Sequence, residues 1–171
     1  TPAIVAAAGA DPLQPLMAMG MPNATQLLYG VRVLPATPQP PASAPQAGRN
    51  ANLAGPVTRY SVDFMIRWSD VELEPATDGG HTGSVEVQLL AYDREGHAVN
   101  WIGGTERMDL TPQLYTAVQR SGVPAHFDID LPSNQDIDLE TGIYDPSTGK
   151  AGTLSIPLRP VPATTASAPV P

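Results

Sequence analysis

No cysteine occurs among the 171 residues, which excludes disulfides, thiolate metal centres and thiol nucleophiles. No apolar run approaches the ~18–20 residues that a membrane-spanning helix needs. Positive charge is scarce: nine Lys and Arg stand against 17 Asp and Glu, a net charge of −8. An acidic surface argues against a nucleic-acid backbone or an anionic membrane as partner, and suits a cationic partner or calcium. The lack of cysteine fits an extracytoplasmic bacterial protein, though cytosolic proteins can lack it too. The chain opens Thr1-Pro2-Ala3 with neither a start methionine nor a signal peptide, and reads as a processed product or a fragment.

Proline is plentiful but uneven. Of 20 prolines, residues 57–156 hold five: Pro75, Pro112, Pro124, Pro132 and Pro146. The flanks therefore cannot be continuous helix or central strand, and the middle is an ordinary domain of roughly a hundred residues. That middle also carries sixteen acids against six bases.

Residues 1–25 read as an N-terminal arm rich in Ala, Met and Pro. Within it Asp11-Pro12-Leu13-Gln14 predicts an N-cap, a first-turn proline and a turn or two of helix ended by Gly20. The arm is either a linker or a segment docking on another subunit through Leu13, Leu16, Met17 and Met21. Residues 26–34 alternate, with Tyr29, Val31 and Val33 on one side, and predict a half-buried strand that pairs in its own domain or in a neighbour. Residues 35–56 are low in complexity and predict a polyproline-like or disordered loop.

From Val57 a two-residue rhythm sets in. Tyr60, Val62, Phe64, Ile66 and Trp68 share one face of a long strand, which puts Trp68 in the core. Val85, Val87, Leu89 and Ala91 make the next strand, and Asp93-Arg94-Glu95-Gly96 turns it back through residues 97–101. A further short strand is expected over 105–110. Thr111-Pro112 opens the one convincing helix, with Leu114, Ala117 and Val118 on a face and Gly122 at its end. Strands follow at 126–131, 136–143 and 154–158, and residues 160–171 form a Pro-rich tail. The pattern predicts an all-β, immunoglobulin-like antiparallel sandwich of about seven strands with one short helix and Pro-rich flanking arms, spanning residues 26–159. If 126–131 and 136–143 formed a hairpin, Asp128 and Asp130 would face Asp136, Asp138 or Glu140. Like charges opposed this way are destabilising. Either a cation sits there or the two strands lie in different sheets; the second is preferred.

Several segments, in order, resemble the C-terminal region of bacterial "VWFA-related" proteins, over roughly residues 16–158. They are Met19 to Pro35 (Met-Gly-Met-Pro-Asn-Ala-Thr-Gln-Leu-Leu-Tyr-Gly-Val-Arg-Val-Leu-Pro), Arg59 to Phe64 (Arg-Tyr-Ser-Val-Asp-Phe), Ala91 to Gly96 and Leu110 to Tyr115. Leu139 to Asp145 and Gly152 to Leu158 complete the set. The resemblance implies an exported, immunoglobulin-like C-terminal module with no known catalytic residues. Those proteins carry an upstream von Willebrand A-type domain whose metal site uses Asp-x-Ser-x-Ser. This chain has no such motif, so that site is not carried over.

No residue set marks an enzyme. His81, His97 and His126 lack a second ligand at metal spacing and read as loop or strand-surface residues. No Gly-x-Ser-x-Gly elbow or phosphate loop is present. The sequon Asn23-Ala24-Thr25 carries little weight. Asp128, Asp130, Asp136, Asp138 and Glu140 are calcium candidates, set against a solvated strand face. Trp101 is the more open of the two tryptophans as a sugar-stacking residue. The expected function is a non-catalytic module, without cofactor, contacting a protein partner or its own kind. The arm would contribute by strand addition, with Leu16, Met17, Leu27, Tyr29, Val31 and Val33 as partner-binding residues. The alternative is a carbohydrate- or calcium-dependent binding module.

Overall fold

A computed structural model describes residues 11–160. Eight strands form: β1 (Tyr29–Pro35), β2 (Val57–Ile66), β3 (Glu74–Pro75), β4 (His81–Tyr92), β5 (Ala98–Leu110), β6 (Val123–Pro132), β7 (Ile137–Asp145) and β8 (Lys150–Leu158). One helix, α1 (Pro112–Ser121), joins β5 to β6. The three-stranded sheet runs β1-β2-β6. In the five-stranded sheet β4 pairs with β3, β5 and β7, and β7 pairs with β8. All pairings are antiparallel. With β3 set aside, the two orders are the A-B-E and C′-C-F-G orders of an immunoglobulin-like sandwich, as the alternation predicts.

The core is the apolar half of that alternation. Val62, Phe64, Ile66, Ile129 and Leu131 from one sheet meet Val85, Val87, Leu89, Ile137, Leu139 and Ile143 from the other, all fully or nearly fully buried. Each such side chain contributes about 1.5–3 kcal/mol of transfer free energy. Phe64 packs edge-on against Phe127, with centroids 6.3 Å apart. β6 and β7 lie in different sheets, so the acids of the two strands do not oppose one another. Instead Asp130 sits across from Arg59 and Asp63 across from His126.

Several expectations are corrected. The first strand begins at Tyr29 rather than residue 26; of the two pairings left open, it makes the one within its own domain, with β2. Residues 98–110 are one continuous strand. Trp68 lies past the end of β2 in a short 3₁₀ turn, half-buried against the Tyr115 ring at 6.1 Å. In α1 the Thr111 hydroxyl caps Leu114 N as predicted, but Leu114 and Ala117 face solvent, and Tyr115 and Val118 pack inward. The helix caps one end of the sandwich, so only a narrow stripe finds cover.

The Pro-rich segments are also unlike their expectation. Asp11 Oδ1 accepts from Leu13 N, and Met17 N donates to Leu13 O, closing one turn of the one or two expected. Residues 11–27 then fold back as a strap over the outer face of the five-stranded sheet. There Leu13 and Met17 are buried with Leu90 and Ala151, and Leu16, Tyr92, Trp101 and Tyr144 pack around them. The strap turns the sandwich edge along β8, where Gln26 N and Leu27 N donate to Ala151 O and Thr153 N donates to Ala24 O. Residues 1–10 of the arm and residues 161–171 of the tail lie outside the described residues.

The loop over residues 36–56 is pinned by distant strands. Buried Asn100 donates to Ala47 O and Asp130 O and accepts from Asn50 N. Arg59 forks onto the Asp130 carboxylate at 2.8 Å and reaches Pro45 O. Gly48 has φ 128° and lies against the Asn100 side chain, so a Cβ has neither the conformation nor the space it needs.

Candidate interaction surfaces

Two surfaces stand out, one on each sheet. The first is an open groove of about 520 Å³ between the strap and the 36–56 loop. Its floor is the outer face of β4 and β5, where Leu90 sits across from Trp101. The rim is polar. Gln88 Nε2 donates to Asp11 Oδ2, and Arg49 N donates to Trp101 O at 2.8 Å, so that both residues line the groove. Arg49 is exposed, and among the described residues its only hydrogen bond is that of its backbone N–H, so its guanidinium has no acceptor there. An aromatic side chain, an aliphatic wall from Leu90 and Met17, and a guanidinium without an acceptor among the described residues give an apolar and an anion-binding position in one groove.

The second surface is the outer face and open edge of β1. Tyr29, Val31 and Val33 point into the sandwich, and Leu28, Gly30, Arg32 and Leu34 face out. Tyr29 is anchored by its hydroxyl to Thr141 Oγ1 and Thr141 O, and burial pushes its phenol well above the ordinary value. Asp70 holds the start of the strand by accepting from Leu28 N and Arg67. Burial raises its pKa, but the Arg67 guanidinium and the Leu28 amide outweigh that and keep it below the ordinary carboxylate value.

The structure therefore uses the proposed partner-binding side chains internally. Leu27 and Met17 are fully buried in this chain, Tyr29, Val31 and Val33 pack on its core, and Leu16 packs on the cluster under the strap. Leu13 and Met17 of the strap cover this chain's own sheet.

The five calcium candidates divide between the sheets. Asp130 is held by Arg59 and by Ala47 N, and Asp128 accepts from Ser61. Asp136 pairs with Arg94 and Arg159, and Asp138 lies 3.6 Å from Arg159. Glu140 is buried on the outer face of β7; burial raises its pKa, and the Ser155 hydroxyl partly offsets this. Among the described residues no three metal-ligating side chains converge.

The histidines are scattered as well. His126 lies between Asp63 (2.7 Å) and Asp128 (3.3 Å), and the hydrogen bond to Asp63 raises its pKa against a smaller effect of burial. His97 pairs with Asp93 in the β4–β5 turn. The His81 ring stacks on Tyr115 at 3.6 Å, with Nδ1 buried and without a hydrogen-bond partner among the described residues.

Arg49 is the groove residue that the sequence reading missed. Its signal was present, since it is the only charge between residues 35 and 56. Leu90 and Tyr92 also carried a signal, because Leu89-Leu90 and Ala91-Tyr92 break the alternation and imply cover on both faces of β4.

No protein-family model matches the chain, and no curated protein matches it. Among solved structures it is similar to β-glucuronidase 2 of Bacteroides uniformis, covalently bound to cyclophellitol-6-carboxylate aziridine. The identity is 10% and the TM-score 0.39, covering 75% of this chain and 12% of that one. The chain thus spans about an eighth of that protein's length, and a likeness at this level carries no argument about activity.

Proposed function

We propose that this chain is a non-catalytic, extracytoplasmic immunoglobulin-like module that contacts a partner protein within a larger envelope-associated or extracellular assembly. The groove at Trp101 takes an extended segment of that partner. The observation that supports this is that one groove is lined by an indole, an aliphatic wall and the Arg49 guanidinium, which has no acceptor among the described residues. That pairing suits an apolar side chain followed closely by a carboxylate. The resemblance to exported VWFA-related proteins supports the location.

The test is a selection from a random peptide library on the intact chain, followed by titration of the enriched peptides. Enriched peptides should carry an apolar residue near an Asp or Glu. Their affinity should fall at least about tenfold in Trp101→Ala and Arg49→Ala, roughly 1.4 kcal/mol. Affinity equal to the parent's in both variants would remove the groove from the reading. A sugar ring on Trp101 is the second reading, favoured by the mixed amide and carboxylate rim of Gln88 and Asp11. It predicts that a glycan, and no peptide, quenches Trp101 fluorescence in a Trp68→Phe background.

A further inference from the structure

The free edge of β1 goes beyond that reading and lies on the other sheet. Arg67 N donates to Leu28 O and Ala36 N to Arg59 O, so the even-numbered residues of β1 bond to β2. Tyr29, Val31 and Val33 therefore turn their N–H and C=O groups to the open edge. No described residue bonds to those groups. The other edges are blunted. β6 has Pro124 and Pro132, and Asp130 N is taken by Ala47 O. β8 is partly paired by residues 24–27, and β5 carries Glu106, Arg107 and Asp109 and bonds to Arg49 N. β1 has a single charge, Arg32, and its one proline, Pro35, is its last residue; Leu34 on the strand and Leu28 just before it are exposed, 52% and 42% accessible. Such an edge is a template for another strand unless something covers it.

We infer that two copies of this chain pair antiparallel through β1, with Val31 opposite Val31 of the second copy. That register makes about six main-chain hydrogen bonds from Tyr29, Val31 and Val33. It sets Leu28 against Leu34 of the second copy, twice, covering both exposed leucines. It also sets Arg32 against Gly30 of the second copy, where an added Cβ would meet nothing within 4 Å, so there is room for the guanidinium. A two-fold centred on Arg32 would place two arginines face to face, which is destabilising. One centred on Gly30 would place Leu28 against Arg32. The result is a continuous six-stranded sheet, β6-β2-β1 and its two-fold copy.

The absence of native cysteine makes the register directly testable. Gly30→Cys and Arg32→Cys chains, mixed and oxidised, should form a mixed disulfide. A directly opposed, non-hydrogen-bonded pair brings the two Cα atoms to about 4.5 Å, within disulfide range. Each variant alone should form little. The parent chain should sediment as a dimer in a dilution series, and Leu34→Glu should raise the dissociation constant at least about tenfold, with unchanged circular dichroism. Efficient cross-linking of Arg32→Cys with itself would overturn the register. A monomer throughout, with no mixed disulfide, would overturn the pairing.

Discussion

Across the three-stranded sheet the outward rows read Arg32–Asp63–His126 and Leu34–Ser61–Asp128, and they meet water. Across the five-stranded sheet the outward side chains include Leu90, Tyr92, Trp101 and Tyr144, and residues 11–27 lie over them. Both sheets alternate, but only one alternates between core and solvent. The other alternates between a main core and a smaller second one. A strand with one wet face tolerates charge substitution there, whereas a strand roofed on both faces does not. The site Gly142 shows the closeness of the roof: a Cβ there would lie 2.5 Å from Met17 Sδ and 3.1 Å from Leu13 Cδ2.

The largest expected effect sharpens this contrast within a single face. Arg59 and Asp130 lie on the outward side of the three-stranded sheet where the 36–56 loop covers it, with side chains 17% and 5% exposed. Arg59→Ala leaves a buried carboxylate without its cation and should cost about 3–5 kcal/mol in urea unfolding. Next is the strap. Leu13→Ala empties a fully buried position and should cost about 2–5 kcal/mol; a loss under about 0.5 kcal/mol would mean the roof is not part of the folded unit.

Glu140, buried on the same outer face across from Leu90, tests how dry that face is. Its pKa is raised above 4.5 by burial. Its stabilising form is therefore the protonated one, and stability is lost as pH rises through the folded value. Glu140→Gln should melt higher than the parent at pH 7, with the difference closing near about pH 4. An equal gain at both pH values would show that charge is not the cause.

The bare face should respond weakly. Arg32→Ala breaks a pair whose side chains are 70% and 39% exposed, a change of about 0–1 kcal/mol in the monomer. His126 gives the smallest signal. Its raised pKa means that its contribution is complete below about pH 6.5 and fades as pH climbs through the folded value. The parent should lose a little melting temperature between mildly acidic and alkaline pH, and His126→Gln should lack that slope; matching slopes would assign the loss to another group.

Much of the sandwich was legible because β patterning is local. Phe64 between Asp63 and Met65, or Ile129 between Asp128 and Asp130, states its face within three residues. The Thr111-Pro112 cap is likewise a neighbour effect. Even the separation of β6 from β7 was readable, because opposed carboxylates penalise the hairpin. The strap and the 36–56 loop were not readable from their own residues, since Pro and Ala offer few donors. Their partners, Asn100, Asp130 and Thr153, sit 50 to 129 residues away. The groove at Trp101 was hidden for the same reason: its walls come from the strap, β4, β5 and the loop.

The amino-acid sequence alone determined the strand class, the single capped helix, the identity of most core side chains and the need to keep the acidic strands apart. Each follows from burial and charge between near neighbours. Tertiary structure decided that the arm covers its own sheet, that Leu27 and Met17 are core, and that Arg49 stands beside Trp101. Those outcomes depend on which distant backbone carbonyl or apolar gap is within reach once two sheets have closed, and a linear pattern contains no such distances.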